Sequence, residues 1–97
     1  MHQYDVYKLK RGDIVVILQH GAFSDFSTRV VAPLVPRTRG KLATSLNPVV
    51  RHARRDWVLG THLMNVVLVS SIQEHLGSLS DQDFTIKRAV NQLFLGI

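Results

Sequence analysis

The sequence predicts a mainly β protein completed by a single C-terminal α-helix. Three observations predict it. Apolar residues come in short runs rich in valine and isoleucine, the composition of strands. Glycine, proline and charged residues interrupt those runs at short intervals. Only the segment from Ser80 onward repeats its apolar positions at the helical period. Six or seven short strands followed by one amphipathic helix describe a small barrel or curled sheet with the helix packed against it.

In chain order, Tyr4 to Tyr7 alternates polar and apolar residues and reads as the first strand. Asp13 to Gln19 is an apolar run bracketed by Gly12 and Gly21, which reads as a central strand. Ser27 to Leu34 reads as another, with Pro33, lacking an N–H, expected at an edge or bulge. Pro36 to Lys41 is expected to be a polar, arginine-rich loop carrying Gly40. Asn47-Pro48 marks a turn, since a residue before proline is pushed out of the helical region. Val49 to His52 and Trp57 to Leu59 then form a strand pair joined through Ala53, Arg54, Arg55 and Asp56, and Leu63 to Val69 is the second long strand.

The helix has the most explicit signals. Ser80-Asp81-Gln82-Asp83 has the spacing of a capping box, and Leu79 and Phe84 stand where a hydrophobic staple would place them. Asp81 and Asp83 suit the positive end of the helix dipole, with Lys87 and Arg88 further along. At 3.6 residues per turn Ile86, Ala89, Val90, Leu93, Phe94 and Ile97 fall on one face, and Gly96 provides the stop. Leu95 points to the opposite, polar side, above Arg88 and Asn91, and is a candidate contact for another molecule.

The 97 residues make one domain, 1–97, and its 45% apolar and 20% charged content is ordinary for a globular fold. No apolar run is long enough to span a membrane and the N-terminus has no signal-peptide pattern, so no membrane partner is expected. The absence of cysteine removes disulfides, thiol catalysis and cysteine-ligated zinc, and makes a reducing cytoplasm the expected compartment. A net charge of +5, with eight arginines against one glutamate, favours an acidic partner.

Chemistry-bearing motifs are few. His2, His20, His52, His62 and His75 have no metal-ligand spacing, and there is no phosphate loop, nucleophile elbow or carboxylate pair, so neither a metal nor a cofactor is expected. Arg51, His52, Arg54, Arg55 and Asp56 form the one cluster suited to acid–base work, with a histidine abstracting a ribose proton while arginines hold the phosphate. The plainer reading is a solvated hairpin turn. Trp57, inside an apolar strand, is expected in the core rather than as a base-stacking platform.

Along nearly its whole length the chain resembles the CcdB family of plasmid-addiction toxins. The resemblance is carried by Val6-Tyr7, by Arg29 to Leu34, by Asn47-Pro48-Val49-Val50 and by Trp57. It continues through Leu79-Ser80, Asp83, Ile86, Lys87, Ala89 and Asn91 to Phe94-Leu95-Gly96-Ile97. It implies an SH3-like barrel of the CcdB/MazF toxin type with an additional small sheet, assembled as a homodimer without a catalytic site or cofactor. It implies a cytoplasmic bacterial toxin that lodges in the DNA gyrase A subunit and traps the enzyme on cleaved DNA, meeting nucleic acid only through gyrase or an operator complex. An acidic, CcdA-like antitoxin would neutralise it, and the chain's positive charge suits such a partner.

The resemblance also assigns the gyrase contact to Leu95, Gly96 and Ile97, where the family ends on tryptophan, glycine and isoleucine. Leucine offers less area than tryptophan, and losing such an anchor costs on the order of 2 kcal/mol or more, a tenfold to hundredfold weakening. Two alternatives follow from the same residues. One is an endoribonuclease on the same barrel, acting through Arg51, His52, Arg54 and Arg55. The other is a homologue that no longer poisons gyrase and only binds antitoxin.

Overall fold

The computed structural model describes residues 1–37 and 43–97, and it is a curled antiparallel half-barrel with one C-terminal helix. Its strands are β1 (Asp5–Leu9), β2 (Ile14–Ile17), β3 (Thr28–Pro36), β4 (Val49–His52), β5 (Arg55–Leu59), β6 (Asn65–Leu68) and β7 (Ile72–Ser78), followed by α1 (Asp83–Leu95). The ladder runs β4-β5-β3-β2-β1-β7, with β6 paired to β3.

β3 is the organising strand. Its first half pairs β6 from Thr28 to Val31, its middle pairs β2, and its end, Leu34 to Pro36, pairs β5 to start a second, smaller sheet of β3, β5 and β4. Pro33, expected at an edge, lies in mid-strand where β3 passes from β6 to β5, so its missing N–H falls at the change of partner. Its carbonyl accepts from Gly60 N at 2.8 Å, and a Cβ on Gly60 would come to 3.0 Å from the Pro33 ring, so a side chain there would press on the ring.

The uninterrupted run Ile14 to Ile17 is explained by burial on both faces. Val16, with Val6, Ala32, Leu34, Val50, Trp57 and Leu59, faces the main core under α1. Val15 and Ile17, with Leu9 and Val31, face a smaller core on the other side, which Tyr7, Val67 and Ile72 help to close. Trp57 is buried as expected, its indole N–H donating to the His52 carbonyl at 3.0 Å. The helix contributes Ile86 and Ala89, both fully buried, with Val90 packed beside them.

Several expectations are corrected. β7 was not anticipated: it is an edge strand with polar residues on both faces and two register shifts against β1, so it shows no clean alternation. Leu63 to Val69 is not one long strand, because a 3-10 turn takes Thr61–Leu63 and only Asn65–Leu68 pairs. The first strand starts after Tyr4, whose φ of 70° breaks the extended run. β3 continues through Pro36, and the rest of the expected loop, 38–41, lies outside the described residues.

The capping box does not form either. Ser80–Gln82 make a 3-10 turn with no side-chain cap, and Ser80 N donates instead to Ser78 Oγ at 3.2 Å. The staple fails with it, since Leu79 is buried while Phe84 is 73% exposed.

Candidate functional site

Two exposed features stand out from this scaffold, the end of α1 and the β4–β5 hairpin. The first begins with the stop at Gly96, which adopts φ 72° and donates its N–H to the Gln92 carbonyl at 3.0 Å, a left-handed helix end of the kind expected of glycine. Beyond it the helical phase no longer applies. Ile97, expected to face the core, is 84% exposed and lines a shallow hollow with Phe84, Lys87, Arg88 and Asn91 on the solvent side of α1.

Phe94, also expected inside, is 67% exposed. It lies roughly 80° around the helix from Ile86, past the part that the sheet covers. There it lines an open groove of about 300 Å³ with Leu18, His20, Phe23, Met64 and Val90. Leu95 is exposed as expected. Leu95 and Ile97 are thus exposed on either side of Gly96, and Phe94 beside them shares its groove with Phe23, an exposure that sequence reasoning missed. Phe23 and Phe26, stacked at 6.2 Å, could have been noticed as two aromatics in an otherwise polar loop.

The hairpin is tighter than expected. His52 pairs directly with Arg55, leaving a two-residue turn in which Ala53 and Arg54 both have positive φ, 52° and 63°. This is the mirror-type turn that suits strand twist, usually built from glycine or asparagine. Paired residues share a face of the ribbon, so Arg51 and Asp56 lie on one side, with Arg51 Nη1 3.2 Å from Asp56 Oδ1. His52 and Arg55 lie on the other, with the Arg55 guanidinium 5.3 Å from the Trp57 ring centre. The cluster suited to acid–base work is thus split between two faces. The His52 ring packs where a Cβ of Gly77 would stand, and Arg51 Nη2 donates to the Arg54 carbonyl at 3.0 Å.

The other polar groups have local tasks. Buried Arg29 donates to the carbonyls of Ser24, Phe26 and Thr28, holding the 24–28 segment onto β3. Asp5 is buried, accepts from His2 N at 2.9 Å and lies 3.6 Å from His75 Nε2. Half-buried Tyr7 packs on His75, and its phenol is pushed above the usual value by burial first and by Asp5 second, with Arg29 opposing. Burial, then Asp83, raises the Tyr4 phenol likewise. His20 Nδ1 accepts from Ala22 N, and His62 Nδ1 lies 2.9 Å from Asn47 Oδ1. Among the described residues no group of three or more histidine, aspartate or glutamate side chains is placed to hold a metal ion. No described helix is long and apolar enough to cross a membrane.

A family model described as CcdB protein matches residues 3–96. Among solved structures, the fold is similar to an endoribonuclease in complex with its cognate antitoxin from a mycobacterial species, with a TM-score of 0.83, 13% identity, and 98% of this chain and 96% of that chain covered. It is also similar to the Mycobacterium tuberculosis toxin MazF-mt6, with a TM-score of 0.73, 18% identity and 93% of each chain covered. The crystal structure of an Mtb toxin is similar as well, with a TM-score of 0.74 at 16% identity and 90% of this chain and 97% of that chain covered. At these identities the structural likeness speaks for the fold.

Proposed function

The chain belongs to the CcdB family, and from that premise we propose that it is a toxin of a toxin–antitoxin module that inhibits DNA gyrase by binding its A subunit through Leu95, Gly96 and Ile97. The observation that carries this reading is the exposed apolar surface at the end of α1. Phe94, Leu95 and Ile97 are each more than 60% exposed, at the end of a helix that buries Ile86 and Ala89 against the sheet. Large apolar side chains held in water gain most by burial in a partner. Gly96 fixes the turn that separates Leu95 from Ile97.

In this reading the protein acts by occupation rather than by chemistry, as a homodimer in a bacterial cytoplasm. Exposed Val66 and Leu68 on β6 offer apolar surface for a second copy. An acidic antitoxin matches the net charge of +5. The mycobacterial structure with its cognate antitoxin supports that partner by analogy of fold.

Supercoiling and cleavage assays with purified gyrase test the proposal. Wild type should trap cleaved DNA, Leu95→Trp should do so at lower concentration, and deletion of 95–97 should abolish the effect. Wild type and Leu95→Trp both failing to trap, with toxicity surviving the deletion, would sink it. The structural neighbour named as an endoribonuclease favours RNA cleavage as the second reading. Its test is RNA cleavage by wild type that disappears in His52→Ala and Arg55→Ala. The division of Arg51 and His52 between two faces of the hairpin argues against it.

A further inference from the structure

The β4–β5 hairpin reaches past the β3 ladder, its base held by the His52 ring against Gly77 and by Gln82 on the Arg51 backbone. Only the turn at Ala53 and Arg54 and the exposed arginine side chains therefore lack a task in the fold. β5 pairs β3 at Leu59, Val58 and Trp57, and the last backbone bond holding that end is from Arg37 N to the Asp56 carbonyl at 3.2 Å. The pairs Arg51–Asp56 and His52–Arg55 and the turn at Ala53 and Arg54 run on beyond the β3 ladder as a two-stranded ribbon. Four arginines, Arg37, Arg51, Arg54 and Arg55, against the single Asp56 give this end three of the chain's five net positive charges.

The charge is arranged on both sides. Arg51 and Arg37 share Asp56 on one face, at 3.2 and 3.9 Å, leaving that face positive. Arg55 lies over Trp57 on the other face, and Arg54 stands at the tip. Arg51, Arg54 and Arg55 are all exposed. The positive φ of Ala53 and Arg54 keeps the turn at two residues, so the tip is narrow and the backbone sets where the Arg54 side chain leaves it.

We propose that this ribbon is a DNA-binding element that enters the major groove of a duplex, with its arginines on the phosphates of both flanking backbones. A two-stranded ribbon fits the major groove of B-form DNA, whereas the deep, narrow major groove of A-form RNA does not admit one. The exposed guanidinium groups of Arg51, Arg54 and Arg55, leaving the ribbon to either side and at its tip, match a groove walled by phosphates on two sides. The principal rival, an acidic peptide adding as a strand, finds the outer edge of β4 closed at Arg51. There the Gln82 side chain occupies both backbone groups, accepting from Arg51 N and donating to Arg51 O at 2.8 Å each. The inference uses none of the residues assigned to gyrase.

The test is fluorescence anisotropy of a labelled mixed-sequence DNA duplex with the full chain across a salt titration. Binding in the non-specific range, a Kd on the order of 10⁻⁴ to 10⁻⁶ M at physiological salt, is expected. Arg54→Asn, which tolerates positive φ, should lower the slope of log K against log salt by about one, and adding Arg55→Gln by about one more. Thermal melts identify loss of fold in the double variant; Arg54→Asn alone carries the test if Arg55→Gln unfolds the hairpin. The chain lacking 95–97 should bind DNA as wild type does, so failure of the gyrase reading leaves this one standing. A slope unchanged by Arg54→Asn, equal affinity for single-stranded DNA, or tighter binding of poly-glutamate than of the duplex overturns the proposal.

Discussion

The end of α1 and the tip of the β4–β5 hairpin are both exposed and both shaped by left-handed backbone, yet they are built in opposite ways. At the helix end the left-handed position is Gly96, which adopts φ 72° without strain, and the side chains it displays are apolar. At the hairpin the left-handed positions are Ala53 and Arg54, where a Cβ resists that conformation, and the side chains are charged. The first surface offers area that water disfavours, so it suits a protein partner; the second offers charge without area, so it suits phosphate. Exposure alone therefore does not identify a binding surface. What the backbone is held to present, and at what cost, does.

The largest expected contrast lies within α1 itself. Ile86→Ala removes a fully buried side chain and should cost about 2–5 kcal/mol of stability. Deleting 95–97 should abolish gyrase binding while leaving the unfolding midpoint nearly unchanged. Chemical denaturation and a gyrase binding assay on the two variants read both effects. A deletion that destabilises as much as Ile86→Ala would mean that the tail belongs to the core.

The two turns should next respond with opposite sign. Gly96→Ala meets no atom within 4 Å, so its cost is backbone strain alone, about 1 kcal/mol. Arg54→Gly removes the same kind of strain and should stabilise by roughly 1 kcal/mol, although it deletes an exposed charged side chain. Urea unfolding of both variants checks the pair. A destabilising Arg54→Gly would show that the arginine side chain supports the hairpin.

These contrasts also mark how far the sequence could be read. Gly96 as the helix stop, Trp57 in the core and the Val49–Leu59 hairpin were legible, because each rests on a local rule that the tertiary structure did not override. Leu95 was legible as exposed, whereas Phe94 and Ile97 were placed inward by a helical wheel. That periodicity says nothing about where the sheet beneath the helix ends or what happens after a left-handed residue. β7 escaped notice because an edge strand with bulges carries no alternation, and the capping box because Ser80 entered a 3-10 turn instead. The basic cluster was visible, but its division between faces required the register of His52 with Arg55.

The smallest expected effect concerns Tyr7, packed away from both surfaces. Its phenol is raised by burial and by Asp5, so the folded state holds its proton to higher pH than the unfolded state does. That contribution is fully present below the unfolded value of about 10 and is lost as pH rises through the folded one. Tyr7→Phe should therefore flatten the fall in stability above about pH 10, with no change near neutrality. An equal alkaline fall in the variant would assign the effect to other groups, Tyr4 first among them.

The central claim is that the apolar end of α1 is the contact with the target. Titration of the purified gyrase A subunit into wild type and Leu95→Ala by calorimetry tests it most directly. The account predicts a saturable interaction weakened tenfold to hundredfold by the substitution, equivalent to about 1.4–2.7 kcal/mol. Equal affinity for both proteins, with both folded, would contradict it.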